Sequence, residues 1–194
     1  MNEDIKIREQ LVIFAQRAYK RRLVHGTGGN LSARLHNDKM IITASGLSLN
    51  DTERDNLMTV DLQSYDWKPN SVFIPSKEFK FHADIYRYRP DIEAILHVHP
   101  PFATAFAVKG QDIPRLTDAG LRLSAIPIVP FAPGGSEELK DLIVSTVRQN
   151  PDCQVILLEK HGIVSLGSDV VTAYNFADLI ESLAQIAAIT LGIQ

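Results

Sequence analysis

The chain has 194 residues, of which 45% are hydrophobic and 22% charged, a composition typical of a globular domain. This composition excludes a coiled coil, a collagen and a disordered tail. Twenty basic and 23 acidic side chains give a net charge of −3, so no overall electrostatic attraction to nucleic acid is expected.

The N-terminal third of the chain reads as one helix followed by short strands. Apolar residues at helical spacing predict an amphipathic helix over 5–23. Alternating apolar residues predict strands over 31–35 and 40–43, joined by a hairpin at 36–38, and a further strand over 57–61.

The middle of the chain contains the most informative strand. A helix is predicted to open at Pro75, with Ser76 as its cap and Glu78 in its first turn, and to stop before Pro90. The apolar run over 92–99 then predicts a strand that ends at two prolines, which begin the next helix.

The C-terminal third continues the alternation of strands and helices. Extended segments are predicted over 126–130, 154–159 and 163–166, and helices over 136–147 and 169–191. No repeat or linker interrupts this order, so residues 1–194 are expected to form a single α/β domain.

The location of the protein follows from what its sequence lacks. Residues 1–6 do not show the basic and then apolar blocks of a signal peptide, and no apolar run approaches the ~20 residues of a membrane span. The single cysteine, Cys153, directly precedes a predicted buried strand, which favours an inert core thiol in a reducing compartment. We therefore expect a cytoplasmic protein with no membrane or nucleic-acid partner.

Three histidines and one glutamate form a candidate metal site. His97 and His99 are two residues apart on a predicted strand, so their imidazoles project to the same face. His161 follows another strand, and Glu78 lies at a helix start that favours an anion. Three imidazoles and a carboxylate suit Zn²⁺ or a similar divalent ion. A hydrogen-bonded core histidine and a helix-capping carboxylate are the alternatives for the individual residues.

Three loops are candidates for binding an anion. They are Gly28-Gly29-Asn30, Ser45-Gly46 and Ser76-Lys77. Each offers backbone N–H groups or short donors, and the last adds a cation at a helix start. The first loop follows a helix and precedes a strand, which is the reverse of the dinucleotide-binding order. Taken singly, each loop has an ordinary turn as its alternative.

Five motifs in this order resemble the class II aldolase/adducin family, nearest its fuculose-phosphate aldolase and sugar-acid phosphate decarboxylase branch. The motifs are Gly26-Thr27-Gly28-Gly29-Asn30, Thr43-Ala44-Ser45-Gly46, Pro75-Ser76-Lys77-Glu78, His97-Val98-His99 and His161-Gly162. Each motif alone is loose, but five in order at compatible spacing are specific. The resemblance spans residues 7–191.

The resemblance implies a fold, an assembly and a set of site residues. It implies a three-layer α/β/α fold with a largely antiparallel central sheet, assembled as a homotetramer. By the same likeness, His97, His99 and His161 would bind zinc or another divalent cation, and Glu78 would be the acid/base that also touches the metal. The residues implied to hold a substrate phosphate are Gly29, Asn30, Ser45, Gly46, Ser76 and Lys77.

The activity that the resemblance implies is a metal-dependent carbon–carbon lyase. It would cleave a small phosphorylated ketose through a metal-stabilised enediolate. Loss of CO₂ from a 3-keto sugar-acid phosphate gives the same enediolate, so a decarboxylase is the first alternative. A 4-epimerase and a non-catalytic interaction module of the adducin-head type are the others.

The sequence departs from the fuculose-type pattern at three places. Lys77 stands where those aldolases have a second serine, and its charge suits a phosphate or a carboxylate. Asp118 stands where they carry a tyrosine, and the chain ends at Gln194 without the C-terminal tail that carries another. Lys77 therefore favours the decarboxylase alternative, and both family tyrosines are expected to be missing.

Overall fold

A seven-stranded sheet organises residues 3–68 and 72–192, the part of the chain that the computed structural model describes. The strands are β1 (Asn30–Leu35), β2 (Lys39–Ile42), β3 (Met58–Asp61), β4 (Ala94–Val98), β5 (Ile128–Val129), β6 (Val155–Leu158) and β7 (Gly162–Gly167). The helices are α1 (Glu3–Lys20), α2 (Phe79–Tyr88), α3 (Pro101–Lys109), α4 (Asp118–Leu121), α5 (Glu137–Gln149) and α6 (Val170–Leu191). None of them combines the length and the apolar character that a membrane span requires. Residues 1–2 and Gln194, which enter the expectations above, lie outside the described residues.

The sheet is largely antiparallel, as the family resemblance implied. Its strand order is β3-β2-β1-β4-β7-β6-β5, and only β5 and β6 pair in parallel among these neighbours. In the β1–β4 pair Asn30 lies opposite His97, and in the β4–β7 pair Val98 lies opposite Ile163. These registers bring the start of β1, the end of β4 and the start of β7 together at one end of these three central strands.

Helices cover both faces of the sheet, which confirms the three-layer α/β/α architecture. Helices α1, α3 and α6 pack on one face, and α2 and α5 pack on the other. Alternation along β4 assigns its side chains to these layers, because Leu96 and Val98 join the first core and Ile95 joins the second. His97 points to the α2 side, where its ring lies edge-on to Phe81 at 6.1 Å between centroids.

The start of α2 differs from the sequence-based expectation. The helix was expected to open at Pro75, with Ser76 as its cap and Glu78 in its first turn, and this prediction is wrong. The backbone N–H of Ser76 donates to the carbonyl of Thr43 at 3.1 Å, which holds this segment extended beside the end of β2. The first helical residue is therefore Phe79, and Glu78 occupies the N-cap position.

Two smaller differences lie in the first helix and in α4. The first helix ends at Lys20 rather than at residue 23, because Arg22 adopts a left-handed conformation and Leu23 turns into the core. Helix α4 was not predicted, since four residues are too short to show a helical period. Its N-cap is Thr117, whose hydroxyl accepts a hydrogen bond from a backbone N–H of the helix.

Candidate active site

The residues expected to form the site meet in one cleft of about 370 Å³. The cleft opens at one end of the central strands, where β1 and β7 begin and β2 and β4 end. These ends meet because antiparallel neighbours run in opposite directions. Its lining residues are Thr27, Gly28, Gly29, Asn30, Ala44, Ser45, Gly46, Ser76, Lys77, Glu78, His99 and His161. His97 lies directly behind this lining and is fully buried.

The three histidines converge as the strand register requires. The Nε2 atoms of His97 and His99 are 3.0 Å apart, and one ring nitrogen from each of the three histidines lies within 4.8 Å of the others. The His161 ring centroid is 4.8 Å from that of His97 and 5.1 Å from that of His99. Residues separated by more than 60 positions thus present their nitrogens to one small volume.

Burial favours the neutral form of all three imidazoles. Burial lowers the pKa of His97 to about 3 and that of His99 to about 3, and burial also lowers the pKa of His161. The Nδ1–H of His97 donates to the carbonyl of Ile163 at 2.8 Å, so its Nε2 carries a lone pair. A neutral imidazole with a free Nε2 is the form that binds a metal ion.

Glu78 brings a carboxylate to the same place. Its side chain is 6% exposed, and its Oε2 accepts a hydrogen bond from the Asn30 amide at 2.9 Å. Oε2 is also 3.4 Å from His97 Nε2, and Oε1 is 3.8 Å from His161 Nε2. Within the described residues, Oε1 is buried without a hydrogen-bond partner. An unpartnered buried carboxylate oxygen beside unprotonated nitrogens is a group that a cation would satisfy.

Glycines on two sides leave the space that the His99 ring occupies. A Cβ atom at Gly28 would lie 2.9 Å from His99 Nδ1, and one at Gly162 would lie 2.7 Å from His99 Cδ2. The same Cβ at Gly162 would be 2.4 Å from the Val98 carbonyl oxygen. Gly162, the glycine after His161, therefore allows the backbone to approach His99 and its strand closely.

The donor set fits a divalent metal ion. Three imidazole nitrogens and a carboxylate oxygen are ligands that Zn²⁺ commonly takes, and ligands of one tetrahedral ion lie about 3–4 Å apart. The observed separations of 3.0 to 4.8 Å among the histidine nitrogens are close to that spacing. These four side chains are therefore suited to hold such an ion with little rearrangement.

The three loops line the cleft, but part of their donor capacity is used within the protein. Three backbone N–H groups already donate to carbonyl oxygens: Gly28 to His25 at 3.1 Å, Ser45 to Ile74 at 2.9 Å and Ser76 to Thr43 at 3.1 Å. The Asn30 side-chain amide is likewise bonded at both ends, to Glu78 and to His82. An anion in this cleft would therefore depend on the neighbouring groups of Gly29, Gly46 and Lys77.

Sequence reasoning missed several residues around the site. Gly134 lies beside it, since a Cβ there would be 3.5 Å from both Glu78 Oε1 and the His161 ring. A Cβ at Gly135 would lie 3.0 Å from Cδ of Lys77. His82 and Ser32 lie behind Asn30 in a buried hydrogen-bonded line. The Gly134-Gly135 pair was a signal for close approach that could have been used. His82 carried no such signal, because it falls on the apolar side of an amphipathic helix.

Comparisons with known proteins agree with this geometry. A family model described as the class II aldolase and adducin N-terminal domain matches residues 9–188. The L-fuculose phosphate aldolase of Methanococcus vannielii is 33% identical over 176 residues, which cover 90% of this chain and 91% of that protein. The 5-methylthioribulose-1-phosphate/5-deoxyribulose-1-phosphate aldolase of Rhodospirillum rubrum is 33% identical over 184 residues, which cover 93% of this chain and 80% of that protein.

A solved structure shows the same fold. YgbL from Klebsiella pneumoniae, a candidate aldolase, epimerase or decarboxylase, superposes with a TM-score of 0.86 at 28% identity, covering 97% of this chain and 91% of that one. The family match also includes every residue of the cleft described above. The chain therefore belongs to the class II aldolase and adducin N-terminal domain family.

Proposed function

We propose that this protein is a divalent-metal-dependent carbon–carbon lyase of the aldolase type, acting on a small phosphorylated ketose. The observation that carries the proposal is the meeting of three neutral imidazoles and a partly unpartnered carboxylate in a cleft bordered by three loops. Relatives named as aldolases of L-fuculose phosphate and 5-methylthioribulose-1-phosphate support the substrate class.

The roles of the side chains follow from their chemistry. His97, His99 and His161 would hold the ion, and Glu78 would reach it through a carboxylate oxygen in the absence of substrate. When bound, a zinc or similar ion would act as a Lewis acid on the carbonyl and hydroxyl oxygens of the substrate. Glu78 would carry the proton that the enediolate carbon gains after the carbon–carbon bond breaks, or loses in the reverse direction.

The loops would bind the substrate phosphate beside this ion. The proposed contacts are Gly29, Asn30, Ser45, Gly46, Ser76 and Lys77. Gly29, Gly46 and Lys77 would make the main ones, because the Asn30 amide and the backbone N–H groups of Ser45 and Ser76 already have partners. Ser76 is buried, whereas Lys77 is exposed at the cleft and brings a positive charge. A phosphate next to a lysine and backbone N–H groups gains charge-assisted hydrogen bonds.

Lys77 favours one second candidate, a decarboxylase of a 3-keto sugar-acid phosphate. Its ammonium stands in the cleft as a cation for a carboxylate as well as for a phosphate. The structure of YgbL, described as a candidate aldolase, epimerase or decarboxylase, supports this option. Both reactions pass through an enediolate, so the leaving group alone distinguishes an aldehyde lyase from a carboxy-lyase.

The proposal includes assembly as a homotetramer. The family resemblance is its basis, and a tetramer would also cover large apolar side chains that are exposed in one chain. Examples are Leu116, Leu121, Phe131 and Ile189, which are 49%, 71%, 52% and 74% exposed. Light scattering should give four times the mass of one chain, and a monomer at micromolar concentration would contradict this part of the proposal.

The first experiment measures metal and products together. After mild dialysis, elemental analysis should find about one divalent ion per chain. The protein is then incubated with a panel of phosphorylated ketoses and 3-keto sugar-acid phosphates, while dihydroxyacetone phosphate and CO₂ are measured separately. The aldolase proposal predicts release of dihydroxyacetone phosphate from a ketose.

The other outcomes are equally specific. Release of CO₂ from a 3-keto sugar-acid phosphate, with no dihydroxyacetone phosphate released from any ketose, would establish the decarboxylase instead. Inversion at one carbon with no fragment released would identify a 4-epimerase. Absence of both bound metal and turnover would overturn the lyase proposal and leave a non-catalytic interaction module.

A further inference from the structure

Five side chains form a buried hydrogen-bonded line that runs from the cleft into the α2 layer, and we call this line the buried relay. Its members are Glu78, Asn30, His82, Ser32 and Tyr86, each no more than 6% exposed. Asn30 Nδ2 is 2.9 Å from Glu78 Oε2, and His82 Nε2 is 2.6 Å from Asn30 Oδ1. Ser32 Oγ is 2.7 Å from His82 Nδ1 and 2.7 Å from the Tyr86 hydroxyl.

The cleft end of the relay defines its hydrogen-bond direction. The Asn30 amide turns its NH₂ group toward Glu78 and donates to Oε2. The amide oxygen then faces His82 and can only accept. His82 must therefore carry its hydrogen on Nε2 and donate it to Asn30.

The far end of the relay completes the same direction. Burial lowers the pKa of His82 well below its usual value, with a smaller contribution from His97, so the ring is neutral and Nδ1 accepts. The Ser32 hydroxyl donates to that Nδ1 and accepts from Tyr86. Burial raises the pKa of Tyr86, which keeps its hydroxyl protonated as the outermost donor. Every donor in the line points toward Glu78.

We infer that His82 is a positioning residue for Glu78: its Nε2–H fixes the Asn30 amide, which holds Glu78 Oε2 and leaves Oε1 to exchange protons with substrate. The inference rests on the proposed function, because that proposal makes Glu78 the proton carrier. Oε1 has no hydrogen-bond partner in the described residues and lies between His161 and Gly134. A proton on Oε1 leaves all four relay bonds intact, whereas a proton on Oε2 would oppose the Asn30 N–H.

The test uses two substitutions, one that replaces the contact of His82 Nε2 and one that replaces only the contact of His82 Nδ1. His82→Gln keeps a side-chain N–H long enough to reach Asn30. His82→Asn keeps an acceptor for Ser32 but is too short to reach Asn30. In the metal-loaded protein we expect His82→Asn to lower kcat by about 10–100-fold, the range for partners that orient a ligand from behind, with KM and bound metal close to wild type. His82→Gln should recover most of the lost kcat.

A stability control separates positioning from general loss of packing. Ile85 is fully buried on the same helix and has no part in the relay. Ile85→Ala should lower the melting temperature by several degrees, because the truncation leaves a cavity in the core, without lowering kcat. Equal kcat values in the folded Gln and Asn variants would overturn the inference, as would a matching loss in Ile85→Ala.

A spectroscopic measurement on the wild-type protein tests the relay without any assay of turnover. Nitrogen-15 NMR of the histidine rings, with the His82 signals assigned through their correlation to the backbone resonances of residue 82 in the wild-type protein, should show a hydrogen on Nε2 and none on Nδ1. A hydrogen on Nδ1 would overturn the inference, even if the variants fail to fold. A wild-type protein that shows the Nε2–H form but turns over no substrate in the panel would instead contradict the proposed function.

Discussion

The two faces of the sheet both bury polar side chains, but those side chains bind different kinds of partner. On the face covered by α1, α3 and α6, Ser165 donates to the backbone carbonyl of Ala173 at 2.8 Å. On the same face, Glu181 accepts from the backbone N–H groups of Phe102 and Ala103 at 3.1 and 2.9 Å. On the face covered by α2 and α5, the polar groups of the buried relay bond to one another and end at the cleft.

This difference distinguishes groups that complete the fold from groups that orient a site. Helix α3 begins after Pro100, which offers no side-chain oxygen as a cap, so Glu181 supplies the acceptor from α6. Such a group satisfies the backbone and has no reactive neighbour. The two faces should therefore respond differently to substitution, in activity on the relay face and in stability on the opposite face.

The largest effect is expected from His97→Ala on the relay face. Removing this proposed ligand should abolish metal binding and lyase activity together. Loss of the ion would remove Lewis-acid stabilisation worth several kcal/mol and the acid/base step that depends on it, so activity should fall by about 10⁴-fold or more. Elemental analysis and the product assay check this expectation. His36→Ala, at an exposed histidine that pairs with Glu3, is the matched control and should keep both properties. Retention of a full complement of metal by His97→Ala would contradict the assigned site.

The next effect is expected from Glu78→Gln. The amide keeps the size of the side chain and still accepts from Asn30, but it cannot carry a proton at Oε1. We expect kcat to fall by about 10²–10⁴-fold, with much of the bound metal retained. Steady-state kinetics and elemental analysis measure the two quantities. Glu138 is exposed on α5, and the control Glu138→Gln should leave kcat unchanged. Turnover near wild type would show that the proton carrier lies elsewhere.

A smaller effect, in stability alone, is expected from Glu181→Ala on the opposite face. The substitution leaves two backbone N–H groups of α3 without their acceptor, which should cost about 1–3 kcal/mol of unfolding free energy. Denaturant unfolding measures this loss. Glu181→Gln retains one acceptor oxygen and should lose less. A fall of about 10-fold or more in the kcat of the folded Glu181→Ala variant would contradict the distinction between the two faces.

The smallest effect is the pH dependence that Glu181 adds to stability. Burial raises its pKa above the usual 4.5, so the folded protein binds this proton more tightly than the unfolded chain. Its contribution is fully present below pH 4.5 and is lost as the pH rises through the raised pKa. The melting temperature of the wild type minus that of Glu181→Gln should therefore be larger near pH 4.5 than at pH 7. A difference that stays constant or grows with pH would contradict this sign.

Much of the site could be predicted because its residues are marked by short-range spacing and by their positions at the ends of predicted strands and helices. The two-residue spacing of His97 and His99 is enough to place both rings on one side of a strand, and the structure confirms that they meet. His161 and Glu78 were candidates because one follows a strand and the other lies at a helix start. Only the family resemblance indicated that they join His97 and His99, since local periodicity does not show which distant segments are neighbours. The antiparallel pairing of β4 with β7 and the turn before β7 bring His161 to His99.

The buried relay could not be predicted from the sequence for a related reason. His82 and Ser32 are 50 positions apart, and each alone resembles an ordinary core or strand residue. Their partnership depends on how α2 lies over β1, which is a tertiary contact. The error at the start of α2 has the same origin, because the pairing of Ser76 with Thr43 overrides a local helix-start signal.

The register of β1 has a consequence for how this protein can change over evolution. Asn30 stands opposite His97, and Ser32 follows two positions later on the same face. Inserting or deleting one residue between them would turn one of the two side chains toward α1 and α6 while the other keeps its face, which would break the relay. Length variation should therefore be tolerated in the turn at 36–38, beyond the strand, and selected against between 30 and 33.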